Sequence, residues 1–294
     1  MRVIVLGATG MLGHKLLQRL QWNFELAGTV RESVAEARLC RVLPGVKLYA
    51  GVQAHDLVSL EEAIKDWRAQ VVVNCIGIVK QSRAASDPLT SIAINSLFPH
   101  QLAHVTAARG ARLIHFSTDC VFSGRRGNYA EDDLPDPMDL YGRSKLLGEV
   151  VARNVLTLRT SIIGRELRTH LGLIEWFLSQ RGGRVNGYAR ALYSGLTTIA
   201  TTDLVAWLIK AHPVLDGLWH VSGEPISKFE LLQIVKRVYH LDIDIATDEA
   251  FVCDRRLDST RFRKRTGWRP RPWEEMITEM YLDEASYVAD PRAV

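Results

Sequence analysis

The chain has 294 residues, 47% of them hydrophobic, with a formal net charge of +4. That length is enough for one large core, or for a nucleotide-binding core carrying a smaller lobe. Charged residues break every apolar run before membrane-span length, and the densest basic stretch, Arg261 to Arg271, contains Gly267, Trp268 and Pro270, a turn between helix ends rather than a nucleic-acid patch.

The elements follow in chain order. Val3 to Leu6 reads as a strand, and a helix is expected from Met11 to Leu20. Strands are expected at Glu25 to Val30, Val46 to Tyr49 and Val71 to Cys75, then a long helix from about Leu89 to Arg109. Leu113 to Phe116 and, after another helix, Val155 to Leu158 complete the series. Short apolar runs each followed by a helical pattern mean parallel strands buried on both faces. The fold class is therefore α/β: a doubly wound parallel sheet with a smaller C-terminal lobe, its ligand at the carboxyl ends of the strands. Residues 1–165 are assigned to the sheet domain, with returning elements around 195–220, and 166–294 to the lobe. Helices are expected there near Leu171 to Gln180, Thr202 to Lys210 and Ser227 to Tyr239. Residues from about Ala289 are expected to fray.

Cys40, Cys75, Cys120 and Cys253 are scattered, with no metal-ligand spacing, so no metal site or disulfide framework is expected. No secretory leader pattern opens the chain, and a cytoplasmic protein is expected.

Gly7-Ala8-Thr9-Gly10-Met11-Leu12-Gly13 lies between the first strand and its helix. Gly7 permits the tight turn, Gly10 a close approach of backbone to phosphate, and Gly13 close packing of helix on strand. The helix N-terminus offers free N–H groups and a partial positive charge. This is the phosphate-binding turn of a Rossmann dinucleotide site, with Thr9, Met11 and Leu12 among the contacts. The second strand ends in Gly28-Thr29-Val30-Arg31, without the carboxylate that holds a ribose 2′-hydroxyl. Arg31 would pair with a 2′-phosphate, so NADP(H) is preferred and NAD(H) remains possible; Glu32 beside it acts in the opposite sense. Asp56 and Leu57 are placed at the adenine edge, and Asn74, Cys75, Ile76 and Gly77 along the cofactor path.

Tyr141 and Lys145 stand four residues apart, on one face of a helix. Ser117-Thr118-Asp119-Cys120 leaves the carboxyl end of the fifth strand, where a doubly wound sheet presents catalytic groups. Reducing a ketone needs a hydride and a proton for the developing alkoxide. Bringing a phenol from pKa about 10 to about 7 requires roughly 4 kcal/mol of preferential phenolate stabilisation. A lysine ammonium beside Tyr141 helps supply it, and Thr118 would orient the substrate oxygen.

Residues 7–13, Ser-Thr-Asp-Cys-Val-Phe-Ser-Gly at 117–124 and Tyr-Gly-Arg-Ser-Lys-Leu-Leu-Gly-Glu at 141–149 fall in an order and spacing that resembles the dTDP-4-dehydrorhamnose reductase branch of the extended short-chain dehydrogenases. Asn128 to Asp132, and Gly195 to Thr198 ahead of Asp203 to Val205, are similar to that branch too. The resemblance implies reduction of the 4-keto group of a nucleotide-linked 6-deoxy-hexose, in nucleotide-sugar biosynthesis for surface polysaccharide, with Thr118, Tyr141 and Lys145 in the catalytic roles. Cys120 departs from it, since an aromatic residue often stands there. Related GDP-fucose synthases carry a cysteine at that place with a lobe histidine, and the pair epimerises before reduction; His170 is comparably placed here. Epimerase or epimerase-reductase chemistry through Cys120 and His170 is thus one alternative. A second is a non-catalytic dinucleotide-binding subunit like the beta subunit of methionine adenosyltransferase.

Substrate contacts are expected from Cys120, Val121, His170, Trp176, Arg190 and Arg255. Arg165, Arg168, Arg184 and Arg256 are further candidates for the diphosphate, and Tyr188 and Tyr193 for the base or sugar. The expected partner is the small-molecule substrate, with no nucleic acid or membrane and a possible homodimer.

Overall fold

The computed structural model describes residues 1–32, 43, 45–167 and 171–284. Runs rich in valine, isoleucine and leucine form β1 (Arg2–Leu6), β2 (Glu25–Thr29), β3 (Lys47–Tyr49), β4 (Val71–Asn74), β5 (Arg112–Thr118) and β6 (Val155–Thr160). With Gly217–His220 they make a seven-stranded sheet in the order Gly217–His220, β6, β5, β4, β1, β2, β3. The pairs of β1 with β2 and β4, of β2 with β3 and of β4 with β5 are parallel, and Val3 lies between Leu26 and Val71. Every residue of β4, β5 and β6 is buried, as central strands covered on both faces must be.

Helix α1 (Met11–Leu20) follows β1 with the bounds its periodicity predicts, and α2 (Leu57–Trp67) follows β3. The long helix expected from about Leu89 is interrupted. A short helix, Pro88–Ser91, and a π-helical turn, Ile92–Leu97, lead into α3 (Phe98–Ala108). Phe98 and Leu102 of α3 and Leu60 and Ile64 of α2 pack with Ile4, Val72, Leu113 and Val155 in one buried cluster. Helix α4 (Leu140–Leu147) starts at Asp139, whose carboxylate accepts from the Gly142 N–H at 2.8 Å.

Two units divide the chain. The first comprises 1–118, 139–159 and 202–219; the second comprises 119–138, 160–201 and 220–294. The second unit therefore takes in the segment straight after Thr118, which sequence periodicity alone leaves with the sheet. Its parallel pair runs from Asp244 opposite Arg184 to Asp248 opposite Tyr188, and Ala191–Tyr193 lies between Ile226–Ser227 and Cys253–Asp254. Ser227 and Glu230 close a capping box on the helix Lys228–Val238. Phe122 stacks on Tyr129 with ring centroids 4.2 Å apart, and His220 meets Phe122 edge-on. No helix among the described residues is long and apolar enough to cross a membrane.

Candidate active site

The turn after β1 carries the steric signature of a dinucleotide cradle. Gly7 sits at φ +80°, a left-handed conformation, and a Cβ there would lie 3.2 Å from the Cys75 carbonyl oxygen. At Gly13 a Cβ would fall 2.1 Å from the Gly7 carbonyl oxygen, so only glycine lets α1 seat this close to the turn. The end of β2 fixes the turn: the Thr29 hydroxyl accepts from the Gly7 N–H at 3.2 Å, and its carbonyl accepts from the Ala8 N–H at 2.9 Å. Gly10 caps α1 with no side-chain acceptor, and no acidic residue occupies the first turn. The N-terminal N–H groups of α1, those of Met11 and Leu12 first, thus have neither a side-chain cap nor an acidic residue in their own turn, the setting an anionic phosphate requires. These residues fit a pyrophosphate.

Arg31 stands exposed just past β2. Asp56 serves its own helix. Its carboxylate accepts from the N–H groups of Val58 and Ser59 at 3.1 and 3.2 Å and caps α2, with Leu57 as the first helical residue. Cys75 is anchored by its N–H to the Leu6 carbonyl at 3.0 Å, and burial pushes its thiol pKa well up, which keeps it neutral. Asn74 accepts from the Ile76 N–H at 3.0 Å and meets His115 Nδ1 at 3.1 Å. Asn95, which no motif marked, sits in the π-helical turn. Its amide accepts from the Ile78 N–H (2.9 Å) and donates to the Ile78 carbonyl (3.1 Å) and the Ser144 hydroxyl (3.2 Å). One side chain thereby ties the loop after β4, with Gly77, to helix α4. The π turn is the local distortion that lets it do so.

Thr118 ends β5 and is buried, while Tyr141 is half-buried in the first turn of α4. Lys145, one turn on, is only 7% exposed, and its ammonium donates to the Phe116 carbonyl at 2.7 Å. The i, i+4 pair is thus docked, through the lysine, on the strand that ends at Thr118. Burial lowers the Lys145 pKa to about 8, against the opposing pull of the Glu149 carboxylate. Glu149 itself accepts from Arg159 Nε and Nη2, both at 2.7 Å, and from the Ser117 hydroxyl at 2.6 Å.

In the second unit, Cys120 lies in the 3-10 turn Asp119–Val121, with Val121 fully buried. Arg255 donates from Nε to the Phe122 carbonyl at 3.0 Å and brings Nη1 to 3.6 Å from the Cys120 sulfur. Lys228, which sequence reading passed over, places its ammonium 3.7 Å from the Tyr193 ring centroid, and burial lowers its pKa to about 8, with Asp119, Cys120 and Cys253 opposing. Trp176 and Arg190 are exposed. Tyr193 is buried, and Tyr188 faces Phe251.

Three expected diphosphate ligands are already engaged. Arg165 pairs with Glu175 and Glu284, each at 2.6 Å, Arg184 with Asp244 at 3.2 Å, and Arg256 with Asp254 at 2.6 Å. The carboxylates lie in a helix, a turn and two strands of the same unit, so Arg165 and Arg256 serve as internal braces. Arg168 and His170 lie outside the described residues. No group of metal-binding side chains occurs among the described residues.

Known proteins resemble this chain. The family described as "RmlD substrate binding domain" matches residues 1–184. The methionine adenosyltransferase 2 subunit beta of Mus musculus is 33% identical over 255 residues, 82% of this chain and 72% of that protein. The spore coat polysaccharide biosynthesis protein SpsK of Bacillus subtilis is 28% identical over 303 residues, 98% of this chain and 99% of that protein. Among solved structures, a hypothetical dTDP-4-dehydrorhamnose reductase from Sulfolobus tokodaii superposes with a TM-score of 0.76 at 26% identity, covering 93% of this chain and 98% of its own. A glycine cradle, a Tyr-x-x-x-Lys helix docked on β5 and a match across more than half the length together place the chain in the RmlD family of extended short-chain dehydrogenase/reductases.

Proposed function

We propose that the protein is an NADP(H)-preferring reductase of the 4-keto group of a nucleotide-activated 6-deoxy-hexose. The observation that carries this reading is the buried Lys145, tied to Phe116 two residues before Thr118 and one helical turn from Tyr141. The dinucleotide, when bound, supplies the hydride. Tyr141 donates its phenolic proton to the oxygen that becomes the alkoxide, and the Thr118 hydroxyl holds that oxygen in line. Lys145, protonated below its pKa of about 8, favours the phenolate that Tyr141 becomes and so brings its acidity toward neutral pH. Carbon gains the hydride and oxygen the proton, so one ketone is consumed per reduced nicotinamide oxidised. Arg31, with no carboxylate at the end of β2, supports the preference for a 2′-phosphate. Cys120 and Arg255 are the proposed contacts of the second unit for the sugar-nucleotide.

The test is NADPH oxidation followed by absorbance, with dTDP-, UDP- and GDP-4-keto-6-deoxy sugars in turn. Turnover with one establishes the reading and names the base. The 33% identity to a methionine adenosyltransferase beta subunit favours a second reading, a dinucleotide-binding regulatory subunit. Protein that binds NADPH, turns over none of the panel and co-purifies with a stable partner would replace the first reading by the second.

A further inference from the structure

A buried carboxylate sits where the two halves of the proposed proton relay meet. Glu149 lies two residues beyond α4, its side chain 7% exposed, and it is engaged from three sides. Arg159 on β6, 4% exposed, binds both its oxygens at 2.7 Å, and Ser117 on β5 donates to Oε1 at 2.6 Å. Ser117 precedes Thr118, and Glu149 is one helical turn beyond Lys145. Bidentate pairing with Arg159 fixes the plane of the carboxylate, and the Ser117 bond fixes its reach.

We propose that Glu149 is a positioning residue for the ketoreductase site, locking the end of β5 to the end of α4 and presenting Lys145 with its counter-charge. The proposal rests on the reductase reading for its catalytic consequence, but its structural half stands without it. The titratable and charged groups facing Lys145 support it. Tyr141 lies on its own helix and Glu149 just past that helix. On β5, His115 is held neutral by burial and repelled by Lys145 itself, with His100 adding to the same effect. Arg159 on β6 is neutralised by its pairing with Glu149. Glu149 is the one negative charge in that set, and it alone raises the Lys145 pKa against burial. Removing it leaves the Arg159 guanidinium buried without its partner and takes away the negative charge that opposes burial at Lys145.

The experiment measures the native-state pKa of Lys145 by linkage, as the difference in unfolding free energy between Lys and Met at position 145 across pH 6 to 10. The difference is taken with Glu149 intact and with Glu149→Gln. We expect Lys145 to titrate about a unit or more lower in Glu149→Gln, kcat on the keto-sugar to fall at least about tenfold at constant KM, and Glu149→Asp to restore part of both. Should Glu149→Gln fail to fold, Glu149→Gln with Arg159→Met, read against Arg159→Met alone so that only the carboxylate differs, carries the same test. An unchanged Lys145 pKa in either background overturns the proposal and leaves Glu149 a brace for Arg159. A shifted pKa in a protein without reductase activity keeps the charge coupling and sinks the reductase reading instead.

Discussion

Replacing Lys145 by methionine should make the protein more stable at neutral pH while abolishing turnover. The native pKa of Lys145 is about 8, against an ordinary value of 10.5. Below pH 8 both states carry the proton and the cost of burying the ammonium is fully present; between 8 and 10.5 only the unfolded chain binds the proton, so the cost declines and is gone by about 10.5. The gap of two and a half units corresponds to about 3 kcal/mol. Methionine is similar in length and removes that cost, but it strands the Phe116 carbonyl, whose hydrogen bond is worth about 1 kcal/mol. A net gain of about 2 kcal/mol is expected at pH 7, vanishing by about pH 10. Urea unfolding across pH 6.5 to 10, carried out in a Tyr141→Phe background so that the neighbouring phenol does not titrate, measures it. The subtraction also removes Lys228, whose pKa is likewise lowered to about 8. Parallel stability profiles for the two proteins would mean that Lys145 is charged in the fold at no cost, and the argument from its burial would fail.

Three further outcomes are expected. Tyr141→Phe, by removing only the proton donor, should lower kcat by about 10²- to 10⁴-fold while NADPH still binds, as read by fluorescence titration. Gly13→Ala forces a methyl to within 2.1 Å of the Gly7 carbonyl oxygen. It should cost about 1–3 kcal/mol by overpacking and abolish dinucleotide binding; unimpaired NADPH binding would show that the turn is not the phosphate cradle. Arg31→Asp sets a carboxylate where a 2′-phosphate would lie, and should raise the KM for NADPH more than tenfold relative to that for NADH. An unchanged ratio would remove Arg31 from cofactor selection.

What was legible in the sequence was what a contiguous stretch encodes. The bounds of α1 follow from the spacing of Leu12, Leu16, Leu17 and Leu20, all buried. Tyr141 and Lys145 fall four residues apart within one helix because Asp139 caps its start. Strand β5 runs on to Thr118, two residues past Phe116, since its last residues, though polar, remain buried and paired within the sheet unit. What was illegible depends on partners remote in the chain. The long helix before β5 breaks into a π turn to let Asn95 reach Ile78, seventeen residues away. The pairing of Arg165 is one such case, since Glu175 and Glu284 approach it from 10 and 119 residues away. The start of helix α2 is encoded locally, in the Asp56 carboxylate that caps the N–H groups of Val58 and Ser59.

Hydrogen-bond partners set the proposed relay cation apart from a structural one. Arg112 is buried at the start of β5, and burial lowers its pKa to about 10, in the same direction as for Lys145. But its guanidinium donates to the carbonyls of Leu208 and Leu215, at 3.1 and 2.8 Å, and so fastens the strand to the segment around residues 208–215. Two backbone acceptors answer the burial with packing that any fold can use. Arg112 and Lys145 each have one carboxylate opposing their burial, Asp216 and Glu149, but Lys145 has one backbone acceptor where Arg112 has two, and its pKa has been brought to about 8, near the pH at which a phenol must be persuaded to release a proton. A chain selected only for stability would replace such a lysine with methionine or leucine. Its presence one helical turn from Tyr141, tied to the strand that ends at Thr118, follows if its charge is needed, and the proposed proton relay would need it.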